Sequence, residues 1–112
     1  MQYALLIWKK WDGDEDLSPE VFARYGDFAR QADEAGVLRG GSALRPAIAT
    51  TTVRIRDGET VVSDGPYLES KEHLSGYYLI ECDSLDEAVE WAARVPDAST
   101  GAVEITPLMS LD

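Results

Sequence analysis

Two stretches of this 112-residue chain are apolar at every position, and they constrain the fold more than any other feature. Residues 3–8 read Tyr-Ala-Leu-Leu-Ile-Trp, and residues 77–80 read Tyr-Tyr-Leu-Ile. Neighbouring side chains of a β-strand point to opposite faces of its sheet, so a strand that is apolar throughout is typical of burial on both sides. We therefore expect two such strands, with something packed against each of their faces.

Two amphipathic helices are predicted from capping signals and helical spacing. Ser18 suits the N-cap of the first helix, Pro19 its first position, and Gly36 its end. Apolar residues recur at helical spacing between these signals, at Val21, Phe22, Tyr25, Phe28, Ala29, Ala32 and Ala35. Ser84 and Glu87 form a capping box that opens the second helix. Its predicted apolar face consists of Leu85, Ala88, Val89, Ala92 and Val95.

The other strands complete an alternating order. A second strand is predicted over residues 37–44, where Gly40-Gly41 indicates a bulge or a close backbone approach. Asp57-Gly58 is a hairpin turn signal, flanked by Val53, Ile55, Val61 and Val62. A last strand includes Val103 and Ile105. The order is β-α-β, a hairpin, then β-α-β, which predicts one α+β domain over residues 1–112: a ferredoxin-like split βαβ unit with a β-hairpin insert.

The apolar strands also predict a partner. Two helices can cover only one face of a four-stranded sheet, yet the strands at 3–8 and 77–82 are apolar on both faces. An uncovered second face would leave a large hydrophobic patch in water. The simplest cover is a second copy, sheet against sheet, so we expect a homodimer.

Charge is distributed unevenly and restricts the classes of partner. The net charge is −11; residues 1–56 carry eight Lys/Arg and eight Asp/Glu, whereas residues 57–112 carry thirteen Asp/Glu against Lys71 and Arg94. An acidic surface repels phosphate backbones, so direct nucleic-acid binding is not expected. No apolar run approaches the roughly 20 residues of a membrane helix.

The expected compartment is the cytoplasm. The first residues lack a basic leader and a small-residue cleavage site, and Cys82 is the single cysteine of the sequence. One cysteine cannot form an internal disulfide and suits a reducing environment. One histidine and one cysteine cannot supply the usual zinc ligands, and no glycine-rich phosphate loop follows the first strand, so neither metal nor cofactor is expected.

The stretch Asp64-Gly65-Pro66-Tyr67-Leu68-Glu69-Ser70-Lys71-Glu72 places turn residues beside carboxylates and a lysine, directly before an apolar strand. It resembles the signature of the YCII-related family in its DGPF branch, commonly Asp-Gly-Pro-Phe-x-Glu-x-Lys-Glu, with Tyr67 in place of Phe. Further pieces in the same order extend the resemblance over nearly the whole chain, among them 40–46, 76–80 and 101–107.

The resemblance implies a dimeric α/β-barrel fold, in agreement with the two-faced strands. Related YCII proteins are thought to use a His–Asp pair, with the histidine on the first helix. This chain has no histidine on that helix, and Tyr25 stands near the expected position. The single histidine, His73, lies in the motif stretch. Histidine-dependent chemistry on the first helix is therefore not expected here.

Asp64, Lys71 and Tyr25 are the candidate catalytic residues. Asp64 can act as a general base or anchor a ligand, although Asp before Gly-Pro is also a good turn former. Lys71 can bind an anionic ligand or remain a solvated surface lysine. Tyr25 suits a hydrogen-bond donor better than a base at neutral pH, and its place on the apolar stripe equally fits core packing. The candidate ligand-binding residues are Arg39, Glu72, Trp8 and Tyr78, whose alternative roles are surface charge balance and core packing.

Two functions from different classes follow. The first is a cofactor-independent enzyme that binds a small molecule in a cleft between sheet and helices, with Asp64 as base or anchor. The second is a non-catalytic module that senses a metabolite or contacts a protein; the family resemblance links such modules to transcription. Fold alone does not choose between them.

Overall fold

The chain forms a four-stranded sheet with two helices on one face and a separate two-stranded hairpin. The computed structural model describes residues 1–10, 19–45, 49–67 and 71–110. Its elements are β1 (Gln2–Lys10), α1 (Pro19–Glu34), β2 (Leu38–Ala43), β3 (Thr51–Arg56), β4 (Glu59–Asp64), β5 (Glu72–Glu81), α2 (Leu85–Ala93) and β6 (Ala102–Pro107). A short 3-10 turn, Pro96–Ala98, lies between α2 and β6.

The sheet has the order β2-β5-β1-β6, and all neighbouring strands in it are antiparallel. The two fully apolar runs, β1 and the second half of β5, are its central strands. The β3–β4 hairpin, which follows β2 and precedes β5 in the sequence, forms a separate two-stranded sheet. The α+β class, the ferredoxin-like split βαβ order and the hairpin insert predicted from the sequence are confirmed.

The core lies on one face of the sheet. Leu5 and Tyr78 are cross-strand neighbours, as are Tyr3 and Ile80, so their side chains share the face that the helices cover. Phe28 of α1 packs against this face, with its ring centroid 4.8 Å from that of Tyr78 and 6.2 Å from that of Trp91 on α2. The core cluster also includes Ile7, Ala32, Cys82, Ala88, Ala92 and Val95.

The opposite face of the sheet, which carries neither described helix and is called the bare face below, has apolar side chains that lie outside the core cluster. Leu6 pairs with Tyr77 and Ala4 with Leu79 across β1 and β5, which places all four opposite the helices. Leu6, Tyr77, Leu79 and Trp8 are only partly buried, and none belongs to the core cluster. The sequence therefore predicted correctly that two helices leave the second face of these strands bare.

The helices begin and end where their capping signals lie. The Glu87 N–H donates to the Ser84 hydroxyl at 3.2 Å, while the Glu87 carboxylate accepts from the Asp83 N–H at 2.8 Å, one residue before the cap. This variant of the capping box satisfies two amide donors at the start of α2. Helix α1 begins at Pro19, as predicted; its expected cap, Ser18, lies outside the described residues. Neither described helix is long and apolar enough to cross a bilayer.

The buried face of α2 agrees with the prediction at three of its five positions. Ala88, Ala92 and Val95 are buried, whereas Leu85 and Val89 are 54% and 50% exposed. Trp91, which the sequence did not place on this face, is buried with them. The bulky Trp91 ring occupies a core position beside Phe28, while the small alanines let α2 approach the sheet closely. This rotates Leu85 and Val89 out of the core.

The β3–β4 hairpin extends away from the core. Asp57 and Gly58 have φ values of 53° and 78°, the left-handed pair that a two-residue hairpin turn requires. Val53 and Val62 face each other across the strands, yet they are 59% and 61% exposed. At the base of the hairpin, the Gly65 N–H donates to the Thr50 carbonyl at 2.6 Å. The predicted hairpin is confirmed, but it shares no core with the sheet.

The paired glycines of β2 show both features that the sequence predicted. The register of β2 on β5 shifts between Leu38 and Gly40, which marks a bulge. Gly41 has a φ of 148°, and a Cβ atom there would lie 2.5 Å from the Tyr77 carbonyl oxygen. A glycine at this position therefore lets the edge strand approach β5 closely.

Candidate functional site

A cavity of about 100 Å³ opens between α1, the sheet and the 3-10 turn. The residues that line it come from five segments: β1 (Ile7 and Lys9), α1 (Val21, Phe22 and Tyr25), β2 and the residue after it (Ser42, Ala43 and Leu44), β5 (Ser75, Gly76 and Tyr78) and the 3-10 turn (Asp97). An engineered cavity of roughly 150 Å³ can hold a benzene molecule, so this volume suits at most one small ring in its enclosed part.

Tyr25 and Asp97 form the polar centre of the cavity. The Tyr25 hydroxyl donates a hydrogen bond to Oδ2 of Asp97, although the residues are 72 positions apart in the chain. Burial, and then the Asp97 carboxylate, raise the pKa of Tyr25 well above its ordinary value. The phenol therefore keeps its proton at physiological pH and serves as a donor to the carboxylate. A carboxylate can accept about four hydrogen bonds, so Asp97 can accept further ones from a molecule in the cavity.

The local sequence after α2 positions Asp97. Val95 is buried, and Pro96 occupies the first position of the turn that contains Asp97. The Ala98 N–H donates to the Val95 carbonyl at 3.0 Å, and the Gly101 N–H donates to the Asp97 carbonyl at 2.8 Å. A buried anchor, a proline and two backbone hydrogen bonds thus fix the turn, and its carboxylate reaches α1.

Four other polar side chains line the cavity. Lys9 comes from the end of β1, and Ser42 comes from β2. Ser75 lies at a register shift between β1 and β5, and its hydroxyl donates to the Ile7 carbonyl at 3.2 Å. Burial raises the pKa of Tyr78, so its hydroxyl also stays protonated at neutral pH. Lys9 is the cationic side chain among the described lining residues.

The walls are apolar and the mouth is exposed. Ile7 and Val21 contribute aliphatic surface, while Phe22 and Leu44 stand at the rim. Phe22 is 58% exposed although the sequence placed it on the apolar stripe of α1. An apolar lining with a few convergent polar groups is the usual composition of a small-molecule site.

The cavity includes two of the seven candidate residues from the sequence. Tyr25 and Tyr78 line it; Asp64, Lys71, Arg39, Glu72 and Trp8 are not among the described lining residues. Asp64 is exposed at the end of β4, and Lys71 and Glu72 are exposed at the start of β5. Arg39 forms an ion pair with Glu81, with 3.1 Å between Nε and Oε2. Trp8 lies on the bare face of the sheet.

Sequence reasoning did not single out Asp97. The signal available was an aspartate directly after the proline that follows α2. That pattern predicts a turn, but it does not indicate that the turn faces α1. Among the described residues, no group of three or more His, Cys, Asp or Glu side chains is arranged to hold a metal ion.

Comparisons with known proteins agree with this fold. The model of the YCII-related domain matches residues 1–112. An uncharacterized protein from Rhizobium meliloti (strain 1021) is 40% identical over 116 residues, covering 96% of this chain and 92% of that protein.

The fold also resembles that of a solved structure, 5-chloro-2-hydroxyhydroquinone dehydrochlorinase from Burkholderia phenoliruptrix AC1100 in complex with 2,5-dihydroxybenzoquinone. The TM-score is 0.56 at 12% identity, with 97% of this chain and 94% of that chain covered, a likeness that shows the fold alone. Family match and sequence relative together establish that this chain belongs to the YCII-related family.

Proposed function

We propose that the chain binds a small, mostly apolar molecule in the cavity between α1 and the sheet, anchored by Tyr25 and Asp97. The observation that carries this proposal is the hydrogen-bonded Tyr25–Asp97 pair in a mostly apolar cavity. A titratable group whose pKa is perturbed by burial and by a specific partner, in a cleft, is a candidate for a functional residue, and Tyr25 meets both conditions.

The same groups support acid–base chemistry without a cofactor. Asp97 is the proposed base, because its carboxylate lines the cavity and can accept a proton from a bound molecule. Tyr25 orients that carboxylate, and Lys9 is placed to meet negative charge that develops on the ligand. The structural neighbour is named as a dehydrochlorinase bound to a quinone, so small oxygenated rings are the first class to test. Asp64 remains the alternative base or anchor.

The test is a thermal-shift screen of small oxygenated ring compounds with wild type, Asp97→Asn and Asp64→Asn side by side. A ligand at 100 times its dissociation constant should stabilise the folded state by about 2.7 kcal/mol. We expect the shift to fall in Asp97→Asn and to persist in Asp64→Asn. Loss of the shift in Asp64→Asn alone would move the site to the motif stretch.

Turnover of a bound compound decides between the two functions. Conversion that stops in Asp97→Asn would make the chain an enzyme. Binding without conversion would favour the non-catalytic module, and a stoichiometric protein partner from the transcription machinery would then be the next candidate to seek.

We also propose that the bare sheet face is covered by a second copy of this chain. Leu6, Tyr77 and Leu79 supply the apolar surface. Light scattering at micromolar concentration should give the dimer mass, and Leu79→Glu should give the monomer mass; a monomeric wild type would refute this.

A further inference from the structure

Two hydroxyl groups along the cavity donate their protons to protein acceptors. Tyr25 donates to Asp97, and Ser75 donates to the Ile7 carbonyl at 3.2 Å. A hydroxyl whose proton is committed can offer only its lone pairs to a ligand. These residues therefore present acceptors, and not donors, to the space between them.

Asp97 strengthens this bias. An ionised carboxylate is an acceptor only, and Tyr25 satisfies one part of its capacity. Covering the remaining lone pairs with an apolar ligand would leave them without water and without a donor, which is costly. A ligand that enters here is favoured when it brings a donor to the Tyr25–Asp97 end.

The donors of the cavity are Lys9 and Tyr78. Lys9 has no acceptor capacity, while the Tyr78 hydroxyl can donate or accept. A ligand oxygen that reaches either group is stabilised there. The apolar side chains Ile7, Val21 and Phe22 complete the walls, and a volume of about 100 Å³ limits the enclosed part of the ligand to one ring.

We propose that the cavity selects single-ring compounds by a neutral hydroxyl group, which donates to Asp97 or to the Tyr25 oxygen, while a second oxygen on the ring accepts from Lys9 or Tyr78. The proposal rests on the proposed function, because it takes the same cavity as the ligand site. A carboxylate or an ionised phenol facing Asp97 would meet a like charge and no donor, so anionic groups are disfavoured at that end.

The test compares the binding of three para-disubstituted benzenes by isothermal titration calorimetry at neutral pH. Hydroquinone carries two hydroxyls, 4-methoxyphenol carries one hydroxyl and one ether oxygen, and 1,4-dimethoxybenzene carries no donor. We expect the first two to bind wild type with similar affinity and the third to bind about tenfold or more weakly, since it leaves the acceptors unpaired. 4-Methoxyphenol is the control for the bulk of a methyl group.

Asp97→Asn supplies a readout that a merely structural role would not change. The side-chain amide adds a donor at this position, so the preference for 4-methoxyphenol over 1,4-dimethoxybenzene should shrink toward unity. Asp86→Asn, an exposed substitution at the start of α2, makes the same chemical change away from the cavity and should leave the preference intact. Circular dichroism of both variants checks that they fold.

The outcomes separate the two proposals. Equal binding of the donor-free and hydroxylated compounds to wild type would overturn the selection by hydroxyl and leave the cavity as the ligand site. An unchanged preference in Asp97→Asn would also overturn it. In another outcome, all three compounds fail to bind while a different class of compound gives a thermal shift in the wider screen that Asp97→Asn abolishes. That result would refute the hydroxylated ligand class alone. Failure of every compound in the wider screen would refute both.

Discussion

The region around the cavity and the β3–β4 hairpin differ sharply in how their residues are held in place. Tyr25 and Asp97 come from distant parts of the chain, and packing on Phe28 and Val95 brings them together. The hairpin and the start of the Asp64 motif lie outside the core, with every β4 side chain exposed.

The contrast shows that the most distinctive sequence motif and the described cavity lie in different parts of the molecule. The Asp64-Gly65-Pro66 stretch is the most recognisable part of the sequence, and in the structure Gly65 closes the base of the hairpin. The Tyr25–Asp97 pair has no local signature, but it has burial, an enclosing cavity and a hydrogen bond. Pairs of variants, one in each region, test this difference.

The largest effect is expected from truncating the core. Ile80 is fully buried against the helices, so Ile80→Ala should lower the free energy of unfolding by about 2–5 kcal/mol. Val62→Ala on the hairpin should cost less than about 0.5 kcal/mol, because its side chain is already exposed. Urea unfolding measures both. A large loss in Val62→Ala would show that the hairpin is buried by a partner in solution.

The next effect comes from two glycines with positive φ. Gly41→Ala should destabilise by about 2–3 kcal/mol, because the new methyl group meets the Tyr77 carbonyl in addition to the backbone strain. Gly58→Ala in the hairpin turn has open space around it and should cost only about 1 kcal/mol. Thermal unfolding compares them. Equal losses of stability would mean that the backbone of β2 adjusts to a methyl group at Gly41 as easily as the hairpin turn adjusts to one at Gly58.

A smaller effect is expected from removing charge. Asp97→Asn replaces a charge-assisted acceptor of the Tyr25 hydroxyl by a neutral one and should cost about 1 kcal/mol. Asp64→Asn, at an exposed strand end, should change stability by less than about 0.5 kcal/mol. Chemical denaturation at neutral pH gives both values. A greater loss in Asp64→Asn would identify the motif carboxylate as a structural anchor.

The last effect appears only in alkali. The pKa of Tyr25 is raised in the folded state above its ordinary value of 10.0. Above about pH 10 the tyrosine therefore ionises in the unfolded chain before it ionises in the folded one. The stabilisation that Tyr25 provides is present below that pH and is lost as the pH rises further. Tyr25→Phe should make the decline of unfolding free energy between pH 9 and 11 shallower, as measured by urea titrations about half a pH unit apart. Tyr67→Phe, at an exposed position after the hairpin, is the control and should leave the decline unchanged.

Much of the fold could be predicted because its signals are local. Pro19 begins α1, Ser84 and Glu87 cap α2, and Asp57-Gly58 turns the hairpin, each through contacts within a few residues. The face that α2 buries could be predicted from spacing only in part. Ala88, Ala92 and Val95 are buried as expected, but Leu85 and Val89 are exposed and Trp91 packs beside Phe28 instead.

The candidate site shows the same division. Tyr25 and Tyr78 were identified because their types and their positions on predicted elements are visible in the sequence. Asp97 was missed because its role depends on the direction of a turn that Val95 and two backbone hydrogen bonds fix. Asp64 and Lys71 attracted attention by motif, yet the described cavity is lined by other residues.

The order of elements, the two-faced central strands and the family follow from the sequence, because strand alternation, caps and motifs act over short distances. Tertiary packing, in contrast, brings Tyr25 to Asp97 and puts Asp64 and Gly65 at the base of an exposed hairpin. The physical reason is that a site between distant segments is formed by packing, and packing depends on the volumes and contacts of all the segments together.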